Sequence, residues 1–225
     1  MKPVAVVTGA TGGMGAEIVT DLALTHDVIA VSRNAAALAA LQTRTGCCGW
    51  LGDLTDHAFL AERVAELGRL DVLVHAAAVS THVAIDDATV HEWRRELESN
   101  VIAPAELTRL AIPLLRASRG TVIFIGSGAS TKPVHGSIIY PATKHALKAL
   151  ADGLRLDESS NGVRVSTVSP GQTDTPMLRS IWGGDYTTER FIRPASVARA
   201  VRFVVDASPD VHLTDVAVRP RTELA

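Results

Sequence analysis

The chain has 225 residues, of which 47% are hydrophobic, 20% charged and 4% aromatic. This length allows one large domain or two very small ones, and the apolar content excludes an intrinsically disordered protein. The 22 basic and 24 acidic residues leave a formal charge of −2 without a basic run, so nothing indicates a nucleic-acid or anionic-membrane partner.

Short β-branched runs alternate with longer Ala- and Leu-rich stretches, a pattern typical of parallel strands joined by crossover helices. Asn34, Thr55 and Pro194 occupy positions expected for helix N-caps or first turns. We predict a single α/β domain over residues 1–225, with a doubly wound, mostly parallel sheet of seven strands. The predicted strands are residues 4–7, 28–31, 49–51, 72–75, 121–125, 163–168 and 216–218, and the predicted helices are 14–25, 35–43, 58–67, 91–117, 139–159 and 195–205.

Features of membrane and secreted proteins are not apparent in the sequence. No apolar run reaches the roughly 18 residues of a membrane span, and the N-terminal segment does not have the pattern of a signal peptide. Cys47 and Cys48 are adjacent, which favours neither a disulfide framework nor a metal site. We therefore expect a cytoplasmic protein with no metal and no membrane partner.

A glycine-rich turn separates the first predicted strand from the first predicted helix. Glycines permit a tight turn and allow a pyrophosphate to approach the N–H groups of a helix N-terminus. Alone, such a turn has an equally good structural explanation, but its position here indicates a nucleotide site. Its spacing, Gly-x3-Gly-x-Gly, differs from the Gly-x-Gly-x-x-Gly fingerprint. The segment reads Thr8-Gly9-Ala10-Thr11-Gly12-Gly13-Met14-Gly15.

Tyr140 and Lys144 are one helical turn apart and would share a helix face. A phenol with a pKa of about 10 is protonated at neutral pH, and a neighbouring ammonium lowers that pKa. Ser127 follows the predicted strand 121–125 and so lies at a carboxyl end, where open α/β sheets bind ligands. Separately, the tyrosine could be an ordinary amphipathic residue and the serine a turn residue.

Together these motifs resemble the short-chain dehydrogenase/reductase family, in its shorter single-domain branch with Thr-Gly-x3-Gly-x-Gly and Tyr-x3-Lys motifs. Asn100 stands where the family has an asparagine upstream of Ser127, and Pro170-Gly171 follows the sixth predicted strand as the family's Pro-Gly does. The resemblance covers essentially the whole chain and implies a Rossmann fold.

The resemblance implies a role for each of four catalytic residues. Tyr140 would exchange the proton of a carbonyl or alcohol oxygen, and Ser127 would hydrogen-bond that oxygen. Lys144 would lower the pKa of Tyr140 and bind the nicotinamide ribose. Asn100 would bend its helix around a water that relays protons to Lys144.

The resemblance also implies the cofactor contacts. Ser32 stands where an NAD enzyme has an acid, and Arg33 follows it, which favours NADP(H) over NAD(H). Asp53 would contact the adenine amino group and Thr175 the carboxamide. Alternatively, Arg33 is an ordinary loop residue and Asp53 a cap or turn residue. The implied cofactor-binding residues are Thr8, Gly9, Thr11, Gly12, Gly13, Met14, Gly15, Ser32, Arg33, Asp53, Leu54, Ala76, Ala77, Asn100, Tyr140, Lys144, Pro170, Gly171, Thr173 and Thr175.

Two departures from the family pattern stand out. The segment His75-Ala76-Ala77-Ala78 replaces the usual Asn-Asn-Ala-Gly, and His75 is interpreted as a structural strand-end residue. The region that would cover the substrate, about residues 176–194, is short. His135 lies in the loop between Ser127 and Tyr140 and is interpreted either as a residue of the substrate pocket or as a solvated loop residue. The candidate lid side chains are Met177, Leu178, Ile181, Trp182 and Tyr186.

The sequence therefore predicts an NADPH-dependent carbonyl reductase that acts reversibly on a ketone or aldehyde. The family suggests a homodimer or homotetramer formed through helices 91–117 and 139–159. One alternative is a sugar-nucleotide epimerase or dehydratase, which the glycine spacing and the absence of a C-terminal substrate domain disfavour. The other is an NAD(P)-sensing regulatory protein without turnover, which would not need the Asn–Ser–Tyr–Lys set.

Overall fold

A seven-stranded sheet forms the centre of the computed structural model, which describes residues 2–182, 184 and 186–222. Every neighbouring pair of strands is parallel, and the strand order is 3-2-1-4-5-6-7. This confirms the predicted doubly wound Rossmann architecture. The strands are β1 Val4–Thr8, β2 Asp27–Ser32, β3 Cys48–Leu51, β4 Val72–His75, β5 Thr121–Ile125, β6 Arg164–Pro170 and β7 Asp215–Val218.

Helices cover both faces of the sheet. Asn34 and Pro194 occupy the cap and first-turn positions predicted for them. Thr55 does not cap its helix: Asp56 does, because its carboxylate accepts two backbone N–H groups, while Thr55 bonds to Asp53. The helices are α1 Gly13–Leu22, α2 Ala35–Thr45, α3 His57–Ala65, α4 Val90–Leu97, α5 Ala103–Ser118, α6 Ile139–Glu158, α7 Pro176–Ile181 and α8 Pro194–Val205.

The sheet separates two hydrophobic clusters. Because successive strand side chains point to opposite faces, Val7 packs with α1, α2 and α8, whereas its neighbour Val6 packs with α3, α5 and α6. Both valines are almost completely buried. This two-sided burial explains why the strands read as continuous apolar runs.

The helix predicted over residues 91–117 is interrupted. A π-helical turn, Glu98–Ile102, separates α4 from α5, and Asn100 lies within it. Pro104 has no N–H to donate to the carbonyl of Asn100 four residues earlier, which favours the wider turn. The interruption therefore falls at Asn100, the residue at which the resemblance implies a bend in this helix.

The strand order places the carboxyl ends of β1 and β4 side by side. The strands β2 and β3 lie on one side of this pair and β5 to β7 on the other, so the order of the strands along the chain reverses here. Thr8, at the end of β1, pairs with His75, at the end of β4. The Thr8 hydroxyl oxygen accepts hydrogen bonds from the backbone N–H groups of Ala76, at 3.1 Å, and Ala77, at 3.2 Å. Crevices at such switch points are the usual ligand sites of open α/β sheets.

Candidate active site

The glycine-rich turn after β1 requires glycine at two positions. Gly9 has a φ of +61°, and a Cβ there would lie 2.6 Å from Cα of Ala77. A Cβ on Gly15 would overlap the carbonyl oxygen of Gly9. The turn is therefore held directly against the segment that follows β4.

The turn leads into a helix N-terminus that suits a pyrophosphate. The N-cap residue Gly12 provides no side-chain cap, and the first turn of α1 contains no acidic residue. The first N–H groups of a helix have no intrahelical partner and carry the positive end of the helix dipole. They face no competing anion from their own helix, so the residues present fit a dinucleotide's phosphates. We call the adjoining space, with a volume of about 620 Å³, the cofactor cavity.

The outer end of the cofactor cavity carries the groups that would contact the adenosine. Arg33 Nη1 lies 3.1 Å from Asp53 Oδ2, with side chains 67% and 42% exposed. Partial burial raises the pKa of Asp53, but hydrogen bonds from Thr55 and Arg33 outweigh it and leave that pKa below its usual value. Ser32 Oγ lies 2.7 Å from Thr11 Oγ1, which closes this end against the glycine turn.

A second cavity of about 440 Å³ adjoins the first, and we call it the substrate cavity. Tyr140 lines both cavities, Lys144 lines the cofactor cavity and Ser127 lines the substrate cavity. The predicted Ser–Tyr–Lys set is therefore brought together where the two spaces meet.

Lys144 is buried at the base of the cofactor cavity. Its Nζ donates a hydrogen bond to the carbonyl oxygen of Ile125 at 2.8 Å and lies 5.7 Å from the centre of the Tyr140 ring. Burial lowers the pKa of Lys144 to about 8. The ammonium therefore loses its proton more readily than an exposed lysine does.

Burial dominates the protonation of Tyr140 and raises its pKa to about 12. A hydrogen bond with the Ser127 hydroxyl lowers the pKa of Tyr140, and the negative charge of the Glu96 carboxylate raises it further. The pKa of Tyr140 therefore lies above its usual value, contrary to the lowering by Lys144 that the sequence led us to expect. Tyr140 is consequently protonated at neutral pH.

The Ser127 side chain is oriented by a short 3₁₀ turn, Gly128–Ser130, which it caps. Its Oγ accepts a hydrogen bond from the N–H of Ala129 at 3.1 Å, and its own N–H donates to Ser130 Oγ at 3.1 Å. Because Oγ accepts from the backbone, its proton is available for an acceptor in the substrate cavity.

Asn100 is almost fully buried behind the cofactor cavity and lines neither cavity. Its Oδ1 accepts from the N–H of Val79 at 2.8 Å, and its Nδ2 donates to the Val79 carbonyl at 2.8 Å and to Thr143 Oγ1 at 3.0 Å. The amide thus fastens the segment after β4 to α6, next to Lys144.

Glu96 lies one helical turn before Asn100 and is fully buried. Its Oε1 accepts the N–H of Thr81, while Oε2 has no hydrogen-bond partner in the described part of the chain. Burial raises the pKa of this carboxyl. Nothing in the sequence pattern distinguished Glu96 from Glu92 of the same helix, which is only partly buried.

The predicted cofactor-binding residues fall into three groups. Thr8 and Asn100 lie behind the cofactor cavity, while Pro170, Gly171 and Thr173 line the substrate cavity. The predicted residues that do line the cofactor cavity are Gly9, Thr11, Gly12, Gly13, Met14, Gly15, Ser32, Arg33, Asp53, Leu54, Ala76, Ala77, Tyr140, Lys144 and Thr175.

The lid segment partly follows its prediction. Four of the five candidate lid side chains line the substrate cavity; Tyr186 instead donates a hydrogen bond to Asp174 at 2.7 Å and packs on Phe191. Residues 183 and 185 of this segment lie outside the described residues. His135 is exposed and away from both cavities, whereas His82 lines the substrate cavity.

His75 has the structural role expected of it. Its ring stacks on Phe124 with centroids 4.8 Å apart, and Nε2 lies 2.9 Å from Thr108 Oγ1. Burial lowers its pKa to about 3, so the imidazole is neutral.

Sequence reasoning missed several cavity residues, including Val79, Ser99, His82 and Arg219. Val79 follows β4 and Arg219 follows β7, so both stand just beyond carboxyl ends of the sheet. Their positions beyond these strand ends were the sequence signal that could have identified them. His82 carried no comparable one, because it lies in an irregular segment.

Within residues 2–182, 184 and 186–222, no helix is long and apolar enough to cross a membrane, and no three His, Cys, Asp or Glu side chains converge as metal ligands. Cys47 is buried and Cys48 is exposed, and both are free thiols.

A family model described as short chain dehydrogenase matches residues 3–185, which include Ser127, Tyr140 and Lys144. An uncharacterized oxidoreductase of Staphylococcus epidermidis is 29% identical over 227 residues, covering 97% of this chain and 97% of its own. The 2,3-dihydro-2,3-dihydroxybenzoate dehydrogenase of Escherichia coli is 31% identical over 189 residues, covering 74% and 76%. A solved metagenomic short-chain oxidoreductase in complex with NADP has a TM-score of 0.85 at 28% identity, covering 98% of each chain.

Proposed function

Because the chain belongs to the short-chain dehydrogenase family and is an oxidoreductase, we propose that it is an NADPH-dependent carbonyl reductase that acts reversibly on ketones or aldehydes. The observation that carries this proposal is the position of Tyr140, whose side chain borders both the cofactor cavity and the substrate cavity. A group placed there can exchange a proton with a substrate held against a bound cofactor.

In reduction, Tyr140 donates its proton to the carbonyl oxygen. A pKa raised to about 12 keeps the phenol protonated at neutral pH, as a general acid requires. The Ser127 hydroxyl donates to the same oxygen and stabilises the negative charge that develops there. The nicotinamide, when bound, supplies the hydride.

Lys144 restores the proton of Tyr140 and holds the nicotinamide ribose. Its pKa, lowered to about 8, permits proton exchange near neutral pH. The Ile125 carbonyl fixes the ammonium at the base of the cofactor cavity. Asn100 acts as a positioning residue, since it anchors both Val79 in the cavity wall and Thr143 beside Lys144.

The preference for NADP(H) rests on Ser32 and Arg33 at the end of β2. No acid stands at position 32 to repel a 2′-phosphate, and Arg33 is exposed enough to reach one. The similar metagenomic oxidoreductase was solved with NADP, which supports the same choice.

We further propose a single-domain protein that works in the cytoplasm as a homodimer or homotetramer. Two free thiols agree with a reducing compartment. The assembly would use the helical layer of α4, α5 and α6, and light scattering of the purified protein would give its mass.

The proposed role of Tyr140 is tested by Tyr140→Phe, with Tyr186→Phe as the matched control. Tyr140→Phe removes only the phenolic hydroxyl, so cofactor Kd should stay within about threefold while turnover of a ketone panel falls 10²–10⁴-fold, roughly the contribution of general acid–base catalysis. Tyr186 lines neither cavity, and its Phe variant should retain turnover.

Turnover of Tyr140→Phe within about threefold of wild type would rule out Tyr140 as the proton donor. Nucleotide binding by the wild type without turnover of any ketone, aldehyde or alcohol would instead favour the sensing protein.

A further inference from the structure

The charge around the substrate cavity is one-sided. Three basic side chains line it, those of His82, Lys132 and Arg219, and no Asp or Glu is found among the described residues of its wall. The whole chain has slightly more acidic than basic residues. A wall with only basic groups is therefore not a reflection of overall composition.

Of these three side chains, Arg219 is held in place by hydrogen bonds to the backbone. Its Nη1 donates to the carbonyl oxygens of Ser169, at 2.7 Å, and Val218, at 3.3 Å, beyond the adjacent carboxyl ends of β6 and β7. In the described part of the chain, no carboxylate lies within ion-pair distance of its guanidinium. Its charge is thus fixed at the cavity with no counter-ion among the described residues, and its remaining N–H groups can donate to a ligand.

The remaining wall is largely apolar. Leu178, Ile181 and Trp182 come from the lid, Val134 from the loop after β5, and Pro220 from the segment after β7. Such a surface binds a hydrocarbon or aromatic body, while Tyr140 and Ser127 bind its carbonyl oxygen. The positively charged side chains of Lys132 and Arg219 would then bind a third part of the same molecule, one that carries a negative charge.

We infer that the substrate is a carbonyl compound with an apolar body and an anionic group, a carboxylate or phosphate, and that Arg219 binds this anion. The inference rests on the proposed function and names the substrate class of the same site. Arg219 would thus determine which substrates bind, whereas the proton exchange is assigned to Tyr140.

The test compares 4-acetylbenzoate with its uncharged methyl ester. The carboxylate preference is kcat/KM for the acid divided by kcat/KM for the ester, measured in wild type, Arg219→Gln, Arg219→Lys and Arg221→Gln. Comparing preferences between proteins cancels the different intrinsic reactivity of the two ketones. Arg221 is the matched control, since it is exposed and lines neither cavity.

We expect the preference to fall about tenfold in Arg219→Gln, as for loss of one charge-assisted hydrogen bond at an exposed site. Arg219→Lys should lie between this variant and wild type, and Arg221→Gln should match wild type. Added salt should reduce the wild-type preference by screening. A third probe, 4-acetylphenyl phosphate, shows by its own dependence on Arg219 which of the two anions binds better.

An unchanged preference in Arg219→Gln, or an equal fall in Arg221→Gln, would overturn the inference while leaving the carbonyl reductase intact. Failure to reduce any of the three probes with either cofactor would count against the proposed function instead. Quenching of tryptophan fluorescence, with Trp182 in the cavity wall, then still gives the Kd of the acid, and equal values in wild type and Arg219→Gln would refute anion binding.

Discussion

In the proposed function, coenzyme choice depends on one exposed arginine, Arg33, which already has a partner. Replacing Arg33 by Ala removes a charge-assisted hydrogen bond to the 2′-phosphate, which contributes about 1.5–3 kcal/mol. Arg33 also pairs with Asp53, and at 67% and 42% exposure such a pair contributes only about 0.2–1 kcal/mol. On these figures the phosphate would outcompete Asp53 for Arg33, with a net effect of about 0.5–2.8 kcal/mol, or roughly 2–110-fold in preference.

The assay is kcat/KM for NADPH and for NADH with one ketone, in wild type and variants. Arg33→Ala should lower the NADPH/NADH ratio roughly 2–110-fold, and adding Ser32→Asp should reverse the preference. Asp53→Asn removes the competing charge and should raise the ratio by at most about fivefold. Arg44→Ala, an exposed arginine outside both cavities, is the control.

A wild-type ratio near one, or a ratio that changes less than about twofold in Arg33→Ala, would contradict this reasoning. Arg33 would then be an ordinary loop residue held by Asp53. The proton-transfer groups are unaffected by that outcome, since none of them contacts Arg33.

The remaining predictions concern Lys144, Glu96 and Gly9. Lys144→Met removes the group that, with a pKa of about 8, exchanges protons with Tyr140, so the rising limb of the oxidation pH profile should move to higher pH, toward the Tyr140 pKa, and cofactor Kd should increase; an unchanged profile would mean that Lys144 takes no part in the proton exchange. Glu96→Gln removes a charge that raises the Tyr140 pKa, so the same limb should move to lower pH. Burial raises the pKa of Glu96 in the folded state, so the folded state holds this proton to higher pH than the unfolded state does. The stability of the wild type relative to Glu96→Gln should therefore decrease as the pH rises above about 4.3, seen as a falling difference between their urea midpoints. A difference that does not depend on pH would argue against the raised pKa. Gly9→Ala, at positive φ and 2.6 Å from Cα of Ala77, should lower the free energy of unfolding by about 1–3 kcal/mol, and an unchanged urea midpoint would contradict the strain.

The parts of the site that were predictable from sequence depend on local pattern. The glycine turn, Tyr140 and Lys144 each stand within a few residues of the element that positions them, so spacing alone indicated their neighbours. Ser127 was identified by its position after a strand; the resemblance then gave Ser127 a role and added Asn100.

The parts that could not be predicted depend on contacts between distant segments. The π turn at Asn100 forms while its amide binds Val79, a contact invisible in either segment alone. Glu96 reads as another surface acid of an amphipathic helix until Thr81 is folded onto it. Each member of the Arg33–Asp53 pair was expected in the cavity, but the ion pair that joins them was not.

The two cavities share part of their wall: Met14, Gly126, Tyr140, Thr175 and Met177 border both. A ligand in one cavity therefore touches side chains that a ligand in the other also touches, and the two binding equilibria are thermodynamically linked. By reciprocity, whatever factor a ligand in the cofactor cavity applies to the affinity for a ligand in the substrate cavity, the second ligand applies to the affinity for the first. Substrate affinities measured without the dinucleotide thus describe a different equilibrium from the one that operates during turnover.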